Sequence, residues 1–268
     1  FHLVVRVSGM NVKGAVIDLD GTVYRGDEPI PGAVEAIAEL RDRGVATLFV
    51  TNNPTRSREQ YVERLAEFGV ETTRDEVLSA GTVTAEFLAD RHPDDDVFLV
   101  GSAGLREQLH DHEVYPISDP HDADVVVTSH TYGFDYEDLT EGLWALDGAD
   151  DFYGTDPDLT YPDSDGKRYP GSGAITRAVA GVAEREPDLV LGKPSGVMVE
   201  LATEALHCRP DECLVVGDGL DTDVTFGARA GMYTVLVLSG RTTRAEAEDA
   251  SPEPDHVVGS LADVPGLL

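Results

Sequence analysis

Short apolar runs, each stopping at polar residues, recur along this chain at the length of buried strands. Residues 12–17, 45–50, 189–191, 213–216 and 234–238 have this character. Between them, residues 33–43, 58–68, 196–206 and 223–230 place apolar side chains at helical spacing. Gly44 and Gly69 follow the first two helical stretches, where a glycine in the left-handed conformation ends a helix. Strands alternating with helices over short connections predict right-handed crossovers and a parallel sheet. Both arms of the chain carry the pattern, so both are expected to contribute to one sheet. The fold class is therefore α/β: a doubly wound, Rossmann-like parallel-sheet core.

The middle of the chain has elements of its own. Residues 97–100, 125–127 and 152–155 read as strands, and 102–109 and 136–146 as helices. We place an inserted α/β segment at residues 82–181 and the core at 1–81 and 182–268. Asp94-Asp95-Asp96 and residues 246–255 read as acidic surface loops, and His110-Asp111-His112 as a solvated helix end.

Charge sharpens this picture. The 268 residues hold 51 Asp and Glu against 20 Lys and Arg, for a net charge of -31. Lysine occurs only at Lys13, Lys167 and Lys193. Such a surface repels phosphate-bearing polymers and anionic bilayers, which argues against nucleic acid or membrane partners. It suits concentrated salt, where a Debye length of about 3 Å at molar ionic strength screens self-repulsion. A halophile's cytoplasmic protein is the expectation. A very acidic chain could be disordered, but 41% hydrophobic residues in periodic runs indicate a folded domain beneath the charges. Cys208 and Cys213 are too few for a disulfide framework and read as buried thiols. No apolar stretch approaches the roughly 18 residues that span a bilayer. Residues 1–7 are apolar but lack a cleavage pattern and precede Met10, which reads as an upstream extension rather than a signal peptide.

The richest chemistry lies where the first apolar run ends, at Asp18-Leu19-Asp20-Gly21-Thr22. Alternation along an extended backbone sends Asp18 and Asp20 to one side and Leu19 to the other. Open α/β sheets bind ligands beyond the carboxyl ends of their strands. An Asp-Gly turn is the plainer alternative. A calcium loop fails, because Thr22 and Pro29 stand where its fifth and twelfth ligands belong. Thr51-Asn52-Asn53-Pro54 would likewise pass for a strand-ending turn with a helix cap, and Lys193 for a surface lysine, if each stood alone.

Together these segments resemble the haloacid dehalogenase-like hydrolases, a superfamily dominated by magnesium-dependent phosphatases. Asp18-Leu19-Asp20-Gly21-Thr22 resembles the first family motif, Val50-Thr51-Asn52-Asn53 the second, Gly192-Lys193-Pro194 the third and Val216-Gly217-Asp218-Gly219-Leu220-Asp221-Thr222-Asp223 the fourth. They occur in the family's order, each after a strand-like run. Gly26-Asp27-Glu28-Pro29-Ile30-Pro31-Gly32-Ala33 and Tyr161-Pro162 further resemble the p-nitrophenyl phosphatase branch, with its nucleotide and sugar-phosphate phosphatases.

The resemblance implies a Mg2+ cofactor held by the carboxylates of Asp18 and Asp218 and the backbone carbonyl of Asp20, with Asp223 supporting them. It implies Asp18 as nucleophile, Asp20 as acid and then base, and Thr51, Asn52 and Lys193 as phosphate-binding residues. Magnesium suits hard oxygen ligands, and an ester leaving group needs the proton that Asp20 could supply, whereas a halide does not. The implied substrate is a small phosphorylated metabolite, and in the resembling branch the inserted segment, here 82–181, is an α/β cap domain that closes over the active site and chooses it.

Within the cap, Asp156 stands where the resembling loop usually has asparagine, His130 stands where many relatives have aspartate, and the segment 131–134 is one residue longer. Asn53, His130, Tyr132, Asp156 and Asp158 are accordingly candidate specificity residues, with ordinary loop structure as the alternative for each. Rival functions are a phosphonate hydrolase, which would need a cap lysine such as Lys167, a phosphoacceptor module, and a catalytically silent phosphate-binding protein. Exposed cap surfaces suggest a homodimer.

Overall fold

A computed structural model describes residues 11–162 and 167–268. The apolar stretch 1–7 and Met10 lie outside the described residues. The chain forms two compact units. One comprises the chain up to Val50 with Val62–Leu78 and Val199–Leu268, the other Thr51–Tyr61 with Ser79–Met198.

The first unit is organised by a six-stranded sheet, whose order across the sheet is His256–Val258, Tyr233–Val237, Cys213–Gly217, Gly14–Ile17, Ala46–Thr51 and Val77–Ser79. The strand Gly14–Ile17 runs parallel to both neighbours, in the registers Ile17↔Val216 and Ile17↔Phe49. Both arms of the chain thus share one sheet, as the alternating pattern predicts. The order has a consequence for function. From Gly14–Ile17 the chain winds outward in one direction to Ala46–Thr51 and Val77–Ser79, and the returning arm winds outward in the other. The reversal falls between Gly14–Ile17 and Cys213–Gly217, which is the switch point where open α/β sheets leave a crevice. Ala15, Val16 and Ile17 are buried, as are Leu214, Val215 and Val216. Burial on both faces explains why these strands read as unbroken apolar runs.

Helices Ala33–Asp42 and Arg58–Glu67 end just before Gly44 and Gly69, whose φ values of 80° and 90° provide the left-handed stop. The stretch 223–230 departs from the expected single helix. A π-helical turn, Leu220–Val224, precedes a short α-helix, Thr225–Ala230. Asp223 accepts the Gly219 N–H at 2.9 Å within that turn, and single π turns frequently accompany functional sites. The acidic stretch after residue 243 is partly helical rather than all loop. Thr243 and Glu246 form a capping box that starts the helix Arg244–Glu248.

The two cysteines also differ from expectation. Cys208 and Cys213 are joined in a disulfide rather than left as thiols. The short 3-10 turn Pro210–Glu212 folds the intervening chain back, and Gly14 leaves the room, since a Cβ there would lie 2.6 Å from Cys208 Sγ.

The second unit has a four-stranded sheet in the order Leu189–Val190, Asp151–Gly154, Val125–Thr128 and Val97–Val100. Its core joins Phe98, Val100, Val126 and Phe152 to Ile175 and Val179 from the helix Ser172–Ala183. Burying a phenylalanine as fully as Phe152 contributes about 1.5–3 kcal/mol. That helix, the helix Ala80–Arg91 and the antiparallel pair Thr160–Pro162 with Arg168–Pro170 were not evident from the apolar pattern. Ala80–Arg91 is buried along much of its length, so its small and hydroxyl side chains show little amphipathic contrast. Among the described residues, no helix is long and apolar enough to cross a membrane.

Candidate active site

In the first unit, Asp18 follows the strand Gly14–Ile17 directly, and Asp218 follows Cys213–Gly217 directly. Adjacent strands lie about 4.8 Å apart, so matched register alone brings the two residues side by side. The Asp18 N–H donates to Val216 O at 2.9 Å, carrying the ladder one residue past the regular strand. Asp223 joins them from the π-helical turn. One carboxylate oxygen from each of Asp18, Asp218 and Asp223 lies within 4.8 Å of the others, and all three residues are buried. Leu19 is buried and Asp20 exposed, so the acids of the first motif have different surroundings.

The space around this cluster is kept open by glycine. Gly21 has φ of 86°, and a Cβ there or at Gly240 would collide with the Asp218 carboxylate. Substituting either glycine would force the carboxylate aside. The acids are oriented by donors: Thr22 Oγ1 donates to Asp18 Oδ2 at 3.1 Å and the Arg241 N–H to Asp218 Oδ2 at 2.7 Å. Thr242 Oγ1 donates to the Asp218 carbonyl at 2.5 Å, and Arg241 Nη2 donates to Thr222 Oγ1 at 2.6 Å. Arg241 and Thr242 are participants that the motif reading passed over. They follow the strand Tyr233–Val237, so the rule that sites gather at carboxyl strand ends could have found them.

Three buried carboxylates at this separation repel one another; Arg241 Nε, 4.0 Å from Asp218 Oδ1, offsets part of the charge, and a bound cation would offset more. The donor set is all oxygen, the chemistry that magnesium prefers. These residues therefore fit the divalent ion that the motifs imply.

In the second unit, Thr51, Asn52 and Lys193 are all buried. The Asn53 N–H donates to Thr51 Oγ1 at 3.1 Å. The carboxamide of Asn52 spans the backbone of Lys193: Oδ1 accepts the Lys193 N–H at 2.7 Å, and Nδ2 donates to the Lys193 carbonyl at 3.2 Å. Nδ2 also donates to Asp158 Oδ2 at 3.1 Å. The Asn52 amide is thus engaged on both sides with the loop that carries Lys193. Asn53 ties up its own turn, with Oδ1 accepting from Thr55 N–H at 3.1 Å and Thr55 Oγ1 at 2.7 Å.

Asp156 is 3% exposed and sits beside this clamp. Burial first and the charge of Asp158 second push its carboxyl up to about 8, against hydrogen bonds from Ser172, the Asp158 N–H and Thr155. His130 is buried and Tyr132 exposed, with their rings in edge contact at 4.7 Å between centroids. Burial also lowers the His130 imidazole below its ordinary value, favouring the neutral ring. Asp156, Asp158, Asn52 and Lys193 therefore form one cluster, with His130 joined to it because its N–H donates to Ser172 Oγ at 3.0 Å.

Known proteins bear on this geometry. The family described as haloacid dehalogenase-like hydrolase matches residues 15–115, and a second, HAD-hydrolase-like description matches residues 190–264. The chain is 34% identical to the 5'-nucleotidase YutF of Bacillus subtilis, over 94% of this chain and 96% of that protein. It is 35% identical to the sugar-phosphatase AraL of the same organism, over 95% of this chain and 92% of AraL. A p-nitrophenyl phosphatase from Archaeoglobus fulgidus superposes with a TM-score of 0.88 at 38% identity, covering 96% of this chain and all of the other.

Proposed function

The chain belongs to the haloacid dehalogenase-like hydrolases, and from that premise we propose that it is a phosphoric monoester hydrolase acting on small metabolites through phosphorylation of Asp18. The observation that carries the reading is the convergence of the Asp18 and Asp218 carboxylates, at two adjacent strand ends, with that of Asp223 from the π-helical turn. The named relatives act on nucleotides, sugar phosphates and p-nitrophenyl phosphate, which supports a phosphomonoester substrate.

A phosphate monoester resists attack because both partners are anionic. A magnesium ion bound at Asp18 and Asp218 would neutralise that charge and draw nucleophile and phosphoryl group together. In this reading an Asp18 carboxylate oxygen attacks phosphorus as the bond to the leaving oxygen breaks. Asp20, exposed two residues on, gives that oxygen its proton and releases an alcohol. The aspartyl-phosphate is then hydrolysed by a water whose proton returns to Asp20, giving inorganic phosphate. Thr51 has its oxygen accepting from the Asn53 N–H, so its hydroxyl hydrogen is the part to offer a phosphoryl oxygen. Lys193 supplies positive charge where negative charge develops, an interaction worth several kcal/mol in a dry site. Asn52 serves by holding the Lys193 backbone in place.

Turnover of p-nitrophenyl phosphate in molar KCl with magnesium tests this. Many turnovers, abolished by EDTA and by Asp18→Asn, support it. Stoichiometric labelling without turnover would instead mean a phosphoacceptor, and neither would mean a silent binding protein.

A further inference from the structure

Arg241 stands at the acid cluster without a part in the reaction proposed for it. Its Nε lies 4.0 Å from Asp218 Oδ1, while its Nη2 donates to Thr222 Oγ1 at 2.6 Å. Thr222 Oγ1 in turn donates to Asp223 Oδ2 at 3.2 Å. One guanidinium therefore reaches two of the three clustered acids, Asp218 by its charge and Asp223 through a hydroxyl. All of these residues belong to the first unit.

The chain is shaped to admit this side chain. A Cβ at Gly219 would collide with Arg241 Nη2 and Thr222 Oγ1, so any larger residue there would push the guanidinium away. The main chain of Arg241 is fixed as well, its N–H donating to Asp218 Oδ2 at 2.7 Å. Ion pairs between exposed groups contribute little, because water screens them and long side chains lose entropy in forming them. This pair differs in one respect. The Arg241 side chain is 45% exposed, but the Asp218 carboxylate it approaches is buried, where charge is screened less.

Three carboxylates carry three negative charges, and one guanidinium beside them leaves two, the amount that a single divalent ion balances. A cation entering the cluster meets the attraction of the acids and the repulsion of Arg241 together. We propose that Arg241 is a resident counter-cation, which steadies the acids while no ion is bound and weakens their hold on the ion that binds; the inference rests on the metal-dependent reading above. The repulsion grows with the charge of the entering ion, so Arg241 disfavours a trivalent ion more than a divalent one. A guanidinium also keeps its charge across the pH range of proteins, so its share of the balance does not drift with pH.

The test is a calorimetric titration of metal-stripped protein with magnesium and, separately, with terbium(III), for the wild type, Arg241→Gln and Arg241→Lys. Glutamine removes the charge and keeps a donor for Thr222, whereas lysine keeps the charge. Arg241→Gln should bind magnesium about fivefold tighter and terbium about elevenfold tighter, the same factor raised to the three-halves power, while Arg241→Lys stays within about twofold of the wild type. Weaker or unchanged binding in Arg241→Gln, or equal gains for the two ions, overturns the proposal, because a residue that merely braces Thr222 would loosen the cluster when lost. Melting without metal gives a second reading. Arg241→Gln should melt below the wild type when ion-free and draw level when magnesium saturates it; equal ion-free melting, or a variant that stays unfolded with magnesium present, overturns the proposal. A wild type that binds neither ion does so too. One that shows the expected ranking of affinities but hydrolyses no phosphomonoester sinks the phosphatase reading and leaves the role of Arg241 standing.

Discussion

Asp18, Asp218 and Asp223 in the first unit and Asp156 with Asp158 in the second face the same electrostatic problem, carboxylates drawn together away from water, and resolve it differently. The trio is oriented by hydroxyl and backbone donors, and its three inner oxygens converge on a common point. Arg241 Nε, 4.0 Å from Asp218 Oδ1, meets part of that charge, and a bound cation would meet more. The pair is balanced from within the protein: Asp158 accepts the Asn52 amide, and Asp156 keeps its proton to about pH 8. One cluster has the oxygen donors to fit a divalent ion. The other is built to hold a loop still. Burial of acidic groups therefore does not by itself mark a metal site; convergence of their oxygens does.

The contrast can be broken by experiment, beginning with the largest effect. Asp218→Asn keeps the acceptor for the Arg241 N–H but removes a charge from the trio. Turnover should fall about 10³-fold. Magnesium at a hundredfold excess over Kd should stabilise the wild type by about 2.7 kcal/mol, read as a higher melting temperature, and this shift should vanish in the variant. An undiminished magnesium shift in this variant would mean that the trio does not hold the ion.

Asn52→Ala removes the clamp on the Lys193 backbone without touching that residue's charge. A displacement of about 1 Å costs roughly 100-fold, so kcat should fall by that order with the magnesium shift intact. Unchanged kcat would show that the loop holds its shape unaided.

Asp156→Asn sharpens the comparison through pH. Because the folded carboxyl is raised to about 8 from 3.8, the native state holds the proton more tightly than the unfolded chain. Its contribution is fully present below the unfolded value and is lost as pH rises towards the folded one. The amide cannot ionise, so the variant should match the wild type near pH 4 and exceed it by a few kcal/mol at pH 9. Denaturant unfolding at the two pH values reads this directly.

The smallest effect expected is that of bulk salt. With a net charge of -31, the wild type should melt several degrees higher in about 2 M KCl than in about 0.1 M. A melting temperature independent of KCl would show that surface repulsion is of little consequence to this fold.

Much of this was legible before any coordinates. Apolar runs at 12–17 and 213–216, each followed by aspartate, located the two central strands and the acids at their ends. Strand ends are local events, and a strand buried on both faces writes itself into the sequence as an apolar run. Less legible was the helix Ala80–Arg91, whose wide burial blurs its periodicity. The π-helical turn at Leu220–Val224 was also hidden, because helical spacing alone does not distinguish its hydrogen bonds from those of an α-helix.

The candidate site divides along the same line. Asp18, Asp20, Thr51, Lys193 and Asp218 stand in short motifs whose resemblance to a known family already implied phosphoryl chemistry. The sequence alone determined the alternation of strands and helices, the acids that end the central strands and the excess of negative charge, because each is a property of neighbours along the chain. Only the tertiary structure decided that Asn52 spans Lys193 across 141 positions, that Cys208 meets Cys213, and that His130, Tyr132, Tyr161 and Tyr169 enclose one space. Such contacts depend on which distant side chains packing brings together, and no local spacing encodes that.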